Sequence, residues 1–431
     1  MRPVELLRSR VAATCSLGPA NAHRGLRGFS RAPSRFLHGP PKAAAESPVP
    51  APCDARSIRA LFARGGTSNG LVIWKHDLPP ADEWPNVLPA LMGSPDPFGR
   101  QLDGMGSGIS STSKICVLSP PSDPSLADVD FTFVQVGIQD GKLDLAGNCG
   151  NMISVVGPVA WDALLSHTPG PDKATVRIFN TNTRKLIRST FSVRPAGPSG
   201  RRRVYDPSGA CRIAGVPAAS SPIHLRFLRP GGAKTGRTLP TGRPIDTLAL
   251  PDGTAVEASL VDVSNPGVFV RAADFGFPPA AAASSPKEMR ARLASDPALL
   301  ERLELVRRAG AARMGLDPDT QSVPKIVLVL PGDADAEGSH LRCQALSMGQ
   351  PHKTVPLTLA MCPGAAAGLE GTIPHELAAG LARPQEGSEH AIVLGHPAGK
   401  IEVRVKVGKE GVEAVDIWRT ARVLMAGDVF Y

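Results

Sequence analysis

The chain has 431 residues, the length of two or three domains. Hydrophobic residues make up 42%, but no run approaches the roughly 20 apolar residues that a membrane helix needs, which excludes a membrane-spanning protein. The net charge is +9, of which residues 1–45 carry +7, so the rest of the chain has too little excess charge to indicate nucleic-acid binding.

The N-terminal segment differs in composition from the rest of the chain. Residues 1–45 hold eight basic residues and one acid, with several Ser and Ala, as is typical of an organellar transit peptide. Arg27-Gly28-Phe29-Ser30 resembles a mitochondrial processing site. We expect residues 1–55 to be a transit peptide and linker, and the protein to lie in the mitochondrial matrix. The alternative is a basic tail without a targeting role, which would leave the protein in the cytosol.

The first half of the body predicts a few strands around one buried helix. The residues from Met152 to Leu164 have apolar side chains at helical spacing and few charges, so this helix is apolar nearly all round and must be buried. Pro158 should kink the helix or mark a late start. The predicted strands are short apolar runs at residues 71–74, 114–118, 131–136 and 174–179.

The second half predicts the same order of elements, with a helical insertion. Ser285-Pro286-Lys287-Glu288 is a capping box, and Asp296-Pro297 begins a second helix. Another apolar, helical segment is predicted from Val355 to Leu369. The predicted strands lie at residues 255–263, 268–270, 323–330, 392–394 and 401–407. We therefore expect two similar α+β domains, residues 56–225 and 226–412, the second with a helical insertion at residues 285–316.

Three polar stretches are candidate functional sites. Gly147-Asn148-Cys149-Gly150-Asn151 places a thiol between two glycines at the start of the first buried helix, where free N–H groups and the helix dipole favour an anion. Ser110-Ser111-Thr112-Ser113-Lys114 could bind carboxylates or supply an acid/base lysine. The stretch from Arg64 to Gly70 could cradle an anion. A structural cysteine, a solvated strand end and a plain turn are the respective alternatives.

Other motifs are incomplete. Residues 231–238 resemble a P-loop, but Arg237 stands where the motif requires Lys. His375-Glu376 lacks the second His of a zinc protease, because Ala occupies position 379. The seven Cys are scattered and form no zinc-binding or disulfide pattern. We therefore expect no metal.

Eight short motifs occur in order across residues 58–431, and together they resemble the PrpF family. This family contains 2-methylaconitate cis–trans isomerase and the related aconitate and methylitaconate isomerases. The motifs are Arg64-Gly-Gly-Thr-Ser, Asp103-Gly-Met-Gly, Thr112-Ser-Lys, Gly147-Asn-Cys-Gly-Asn, Asn180-Thr-Asn-Thr, Pro230-Gly-Gly-Ala, Ser264-Asn-Pro and Ser347-Met-Gly.

The resemblance implies the diaminopimelate-epimerase-like fold, with two related domains, each a mixed sheet wrapped around a central helix. The C-terminal strand, at about residues 413–431, would return to the first domain. It also implies a cofactor-independent isomerase of aconitate-like di- or tricarboxylates, in which Lys114 and Cys149 are the catalytic residues. The substrate-binding residues expected from the matched motifs and their surroundings are Arg64, Thr67, Ser68, Ser111, Asn148, Gly150, Asn151, Met348, Gly349 and His352.

Two other functions remain open at this point. A racemase or epimerase would pair Cys149 with a thiol in the second domain, but the counterpart region, residues 347–352, contains no Cys. A carboxylate-binding or accessory protein without turnover is the other alternative. Asn69 and Ser107 depart from the family pattern, so the preferred acid could differ. The sequence leaves the substrate, the direction of the reaction and the oligomeric state open, and we expect neither a nucleic-acid nor a membrane partner.

Overall fold

The structure is a computed structural model that describes residues 56–166, 172–278, 285–332, 338–378, 381, 387–408 and 411–431. Within these ranges, no helix combines the length and the apolar character that crossing a membrane requires.

The first half of the body has nine strands and two helices among its described residues. The strands are β1 (Ser57–Gly65), β2 (Ser68–Trp74), β3 (Lys114–Ser119), β4 (Val129–Val136), β5 (Leu143–Asp144), β6 (Lys173–Asn180), β7 (Lys185–Ala196), β8 (Arg202–Tyr205) and β9 (Ile223–Leu228). The helices are α1 (Trp84–Met92) and α2 (Gly150–Ala160), and a π-helical turn, Trp161–Leu165, continues α2.

The second half repeats this arrangement. Its strands are β10 (Asp246–Ala249), β11 (Ala255–Val263), β12 (Asn265–Arg271), β13 (Lys325–Pro331), β14 (Leu341–Ser347), β15 (Gln350–Pro351), β16 (Glu389–His396), β17 (Gly399–Gly408), β18 (Gly411–Arg419) and β19 (Ala421–Phe430). Its helices are α3 (Pro286–Ala294), α4 (Pro297–Arg313), α5 (Leu357–Ala367) and α6 (Ile373–Leu377).

Strand pairing shows that the two halves share one topology. In the first half, β2 lies antiparallel to β1 and parallel to β3, and β4 lies antiparallel to β3 and parallel to β6. In the second half, β12, β13, β14 and β16 repeat these relations in the same order. The two sheets join where β9 pairs with both β7 and β18. The predicted fold class, two similar α+β domains, is confirmed.

Each half wraps its sheet around one central helix. Helices α2 and α5 both have eleven residues, and every one of these residues is buried. Both helices belong to one apolar cluster that also contains strand residues from both halves, which explains why their sequences are apolar all round. The late start considered for the first helix is wrong, because α2 begins at Gly150 and accommodates Pro158 inside it.

The helical insertion packs on a separate apolar cluster. Ser285 and Glu288 form the expected capping box at the start of α3, and the Asp296 carboxylate accepts a hydrogen bond from the Leu299 N–H at the start of α4. Leu293 of α3 and Leu303 of α4 are both fully buried in this cluster. Helix α3 contacts β14, β15 and β16, and α4 contacts β10, β11 and β13. These contacts agree with a packing role for the two helices.

The strand pairing refines the expected domain limits. The limit between residues 225 and 226 falls inside β9, which pairs with strands of both halves. At the C-terminus, β18 pairs with β17 of the second half, whereas β19 crosses over and pairs with β1. Ser57 lies opposite Phe430, so the first and last strands of the described chain are neighbours.

The repeat provides a matched test of helix packing, because Gly157 and Gly364 are both the eighth residue of their helices. A Cβ at Gly157 would lie 2.3 Å from the Ser189 Oγ, whereas a Cβ at Gly364 would lie an ordinary 3.4 Å from Val403. We expect Gly157→Ala to lower the free energy of unfolding by about 1–3 kcal/mol. Gly364→Ala should leave it unchanged or raise it by up to about 1 kcal/mol, since Ala favours helix. Urea unfolding measures both, and equal effects would contradict this packing.

Candidate active site

The two central helices meet at their N-termini. A Cβ on Gly150, the first residue of α2, would lie 3.0 Å from the side chains of Leu357 and Thr358 at the start of α5. A small cavity of about 50 Å³ lies at this junction. It shares Ser111 and His352 with a larger cleft of about 780 Å³. The site is therefore an inner cavity at the end of a cleft between the two domains.

Lys114 lines the inner cavity and is held by a neutral partner. Its side chain is 8% exposed at the start of β3, and its Nζ donates a 2.6 Å hydrogen bond to the Gln135 Oε1. The Gln135 amide is itself oriented, because its Nε2 donates to the carbonyl oxygens of Ser110 and Ser113. The Lys114 ammonium also lies 5.1 Å from the centre of the Phe133 ring. These contacts fix the Lys114 amine without neutralising its charge.

Cys149 is the N-cap residue of α2, and its side chain reaches the cavity. Its Sγ lies 3.9 Å from the Ser68 Oγ, a long contact for a thiol. The thiol therefore lies beside the unpaired N–H groups of the first helical turn, where the helix dipole favours negative charge. Such a position suits the carboxylate of a ligand.

The backbone before Cys149 is held by both domains. The Asn148 carbonyl oxygen accepts 2.9 Å hydrogen bonds from the Asn265 Nδ2 and the Thr358 Oγ1 in the second half. The Asn148 side-chain Oδ1 accepts a 3.0 Å hydrogen bond from the Asn180 Nδ2 in the first half. This network explains two sequence motifs, at Asn180 and Asn265, that sequence reasoning noticed without assigning a role.

His352 and Met348 complete the cavity from the second domain. Burial lowers the pKa of His352 to about 4, so its ring is neutral near pH 7. The Thr354 N–H donates a 3.0 Å hydrogen bond to the His352 Nδ1. Met348 and Gly349 both have positive φ angles, 53° and 71°, in the two-residue turn between β14 and β15, as the tight hairpin turns of this type require.

Sequence reasoning missed Lys325, which lines the same cavity. It begins β13, is 8% exposed, and its Nζ donates a hydrogen bond to the Ser322 carbonyl oxygen. Burial and, to a smaller extent, the nearby Lys114 ammonium lower the pKa of Lys325 to about 8. The signal was present in the sequence, because Lys325-Ile-Val-Leu-Val repeats the pattern of Lys114-Ile-Cys-Val-Leu. The apolar pattern of this segment predicts a strand but gives no role to its first residue.

The cavity concentrates positive charge. Two ammonium groups and two helix N-termini face it, and no Asp or Glu is among the described residues that line it. Asp144 is close enough to raise the pKa of Lys325 but does not line the cavity. Within the described ranges, no group of three or more His, Cys, Asp or Glu side chains is placed to hold a metal ion. The cavity is thus suited to an organic anion with more than one carboxylate.

Nine of the predicted site residues line the inner cavity. They are Lys114, Cys149, Ser68, Ser111, Asn148, Gly150, Asn151, Met348 and His352.

The other three predicted residues lie outside the inner cavity. Thr67 lines the cleft, and its Oγ1 accepts a 3.1 Å hydrogen bond from the Asn151 Nδ2. Arg64 lies in β1, where its guanidinium donates to the carbonyl oxygens of Gly66 and Thr420. Gly349 faces a separate pocket against α4. This placement gives no support to substrate contact by Arg64 or Gly349.

The geometry also bears on the alternative with two catalytic thiols. Cys149 is the N-cap of α2, and the equivalent N-cap of α5 is Pro356. Cys343 and Cys362 are fully buried, and neither lines the inner cavity. Burial raises the pKa of the Cys343 thiol to about 12 and raises that of Cys362 as well. The second domain therefore offers no thiol opposite Cys149.

Comparison with known protein families decides the assignment. Residues 55–431 match the family described as PrpF protein. The chain belongs to the PrpF family.

Relatives with curated names agree with this assignment. The 3-methylitaconate isomerase of Eubacterium barkeri is 34% identical over 396 residues, covering 88% of this chain and 98% of the relative. The 2-methyl-aconitate isomerase of Shewanella oneidensis is 32% identical over 402 residues, covering 86% of this chain and 96% of the relative. A solved methylitaconate-delta-isomerase superimposes with a TM-score of 0.67 at 32% identity, covering 88% of this chain and 96% of that structure. The predicted family, fold class and isomerase class are confirmed, and these relatives do not favour a binding-only protein or a racemase.

The buried Lys325 predicts a pH-dependent stability. Its folded pKa of about 8 lies below the ordinary 10.5, so between these values the unfolded chain binds more protons and stability rises with pH. At pH 7 the buried charge costs about 3 kcal/mol, because the pKa falls from 10.5 to about 8. Lys325→Met should therefore raise the free energy of unfolding at pH 7 by about 1–3 kcal/mol, with the difference from wild type shrinking between pH 8 and 10.5.

Urea unfolding across this pH range measures the effect. Lys287→Met, which replaces an exposed lysine on α3, is the matched control and should change stability by less than about 0.5 kcal/mol. A Lys325→Met protein that is less stable than wild type at pH 7 would show that the ammonium group contributes more through its contacts than its burial costs.

Proposed function

We propose that this chain is a cofactor-independent isomerase that moves or rotates a C=C bond in aconitate-like di- or tricarboxylates. The observation that supports this most is the inner cavity, where Lys114 and Cys149 meet two helix N-termini and, among the described residues, no acidic side chain lines the wall. The domains are proposed as residues 56–225 and 226–412, with β9 linking them and β19 returning to the first.

The proposed reaction begins with removal of a proton from the carbon next to the alkene. The neutral Lys114 amine accepts this proton, and the electron pair of the C–H bond spreads into a dienolate. The former double bond gains single-bond character, so it can rotate or migrate before a proton returns. Cys149 lies beside Lys114 as its partner or as a second acid/base.

Stabilisation of the dienolate comes from the helix ends. Negative charge grows on the substrate carboxylates during proton removal, and the N–H groups at Gly150 and Asn151 can donate to them. Ser68, Ser111 and the neutral His352 ring add uncharged polar groups around the same cavity. Because these groups are already oriented before the ligand enters, they need little rearrangement in the transition state.

The substrate is proposed by analogy with the relatives. Their names include 3-methylitaconate and 2-methyl-aconitate isomerases, so 2-methylaconitate, aconitate and methylitaconate are the acids to test first. Asn69 and Ser107, which depart from the family pattern, lie near the site without lining the inner cavity. The Asn69 N–H donates to the Ser111 carbonyl, and the Ser107 Oγ donates to the Thr112 Oγ1. They could therefore alter specificity through the Ser110–Lys114 segment, and Asn69 also through its neighbour Ser68, which lines the cavity.

We also propose that residues 1–55 direct the protein to the mitochondrial matrix. The proposal rests on their basic, acid-poor composition, and the family match begins only at residue 55.

A reporter fused behind residues 1–55 should collect in mitochondria of eukaryotic cells, because a basic amphipathic segment is drawn to the matrix. Fluorescence microscopy with a mitochondrial marker measures this. Replacing Arg8, Arg10 and Arg24 by Gln should leave the reporter in the cytosol. A wild-type fusion that stays cytosolic would contradict the localisation.

The reaction is tested by proton NMR of the full chain in deuterated buffer with cis-aconitate, trans-aconitate, 2-methylaconitate and methylitaconate. We expect one or more of these acids to change isomer and to take up deuterium from solvent. Lys114→Ala should lower the rate by at least about 100-fold, the usual contribution of an acid/base group. Lys287→Met, on the exposed surface of α3, should keep the wild-type rate.

Two results would argue against the isomerase. A folded wild-type protein that binds an acid but exchanges no deuterium would indicate the binding-only alternative. Inversion at a saturated carbon without movement of a double bond would indicate an epimerase.

A further inference from the structure

The internal repeat places two lysines in equivalent positions. Lys114 is the first residue of β3, and Lys325 is the first residue of β13. Each of these strands runs parallel to the strand before it, β2 or β12, and antiparallel to the strand after it, β4 or β14. Both lysines are 8% exposed. The two side chains are thus related by the same symmetry that relates the two domains.

Both lysines face one cavity. Lys114 and Lys325 line the inner cavity, and they are close enough for the charge of the first to lower the pKa of the second. Their hydrogen bonds go to neutral oxygens, the Gln135 Oε1 for Lys114 and the Ser322 carbonyl for Lys325. Neither lysine forms an ion pair among the described residues.

The equivalent thiol pair is absent from the site. The N-cap residue opposite Cys149 is Pro356, which has no proton to transfer. The ionisable pair that the repeat brings to this cavity is the two lysines, one from each domain. A ligand in the cavity would therefore meet an amine from both domains.

Resting on the proposed function, we propose that Lys325 is a second acid/base that works together with Lys114 to shift the double bond. In protein molecules that hold Lys114 as the neutral amine and Lys325 as the ammonium, Lys114 takes a proton from one allylic carbon, and the C–H electron pair enters the dienolate. Molecules with the opposite protonation carry the same steps in reverse. The Lys325 ammonium then gives its proton to the far carbon, where the dienolate electrons form the new C–H bond. Lys114 ends protonated and Lys325 neutral. Exchange with water through the cleft restores both, so no oxidant or further reactant is needed.

If two bases act, variants of one lysine should separate deuterium exchange from isomerisation. In the full-chain protein, Lys325→Met should lower isomerisation by at least about 100-fold while deuterium still enters the substrate at the carbon that Lys114 serves. With the product isomer as the starting acid, Lys114→Met should also lose isomerisation. It should still take up deuterium, but only at the far carbon, which Lys325 serves. Lys325→Arg keeps the charge but cannot transfer a proton at neutral pH, so it should lose isomerisation with KM changed less than about tenfold. Lys287→Met should keep both activities.

Proton NMR in deuterated buffer, with the acid that wild type converts, follows both processes at each carbon. Lys325→Arg with the wild-type rate would overturn the inference in favour of a carboxylate-binding cation. If a folded Lys325→Met protein loses deuterium exchange and isomerisation equally, the inference is overturned in favour of a mechanism with a single base. A wild-type protein that neither exchanges nor isomerises any of the acids would overturn the proposed function, and the role of Lys325 with it.

Discussion

The close contact between the starts of the two central helices is the constraint on which the rest of the structure depends. Gly150 at the start of α2 has no room for a side chain, because Leu357 and Thr358 of α5 already occupy that space. The Asn148 carbonyl is held from the second domain by Asn265 and Thr358, so the two halves are joined through the backbone of the site itself. Each sheet then closes around its own buried helix. A shift between the domains would move the helix ends, the Cys149 thiol and both walls of the cavity together.

This contact sets the electrostatic character of the site. Two helix ends with unpaired N–H groups would repel each other, and the two lysines add to the positive potential without any described carboxylate on the cavity wall to offset it. Such an arrangement costs stability in the empty protein, and a ligand with several carboxylates relieves the cost when it binds. The same potential favours an electron-rich dienolate over the neutral C–H bond from which it forms. Binding and catalysis thus draw on one feature, which arises from the way the repeat is assembled.

Local patterns in the sequence predicted much of the fold and part of the site. The buried helices were visible because they are apolar all round, and Lys114 and Cys149 stood in recognisable motifs. Contacts between residues far apart in the sequence cannot be seen in local patterns. The Gly-rich loop predicts an anion site at Arg64. In the structure the Arg64 guanidinium instead donates to the carbonyl of Thr420, more than 350 residues away, beside the pairing of β1 with β19. Lys325 was missed for a different reason. Its repeat of the Lys114 segment is short, and only the shared strand topology shows that the two segments are equivalent.

The pairing of β19 with β1 has a consequence for how the chain is made. On the ribosome, β1 emerges early with the rest of the first domain, but its partner strand is among the last residues synthesised. Until then one edge of β1 offers unpaired N–H and C=O groups to any other extended chain. Contacts of such long sequence separation also form slowly. The first domain therefore remains without its last strand until the second domain has been synthesised.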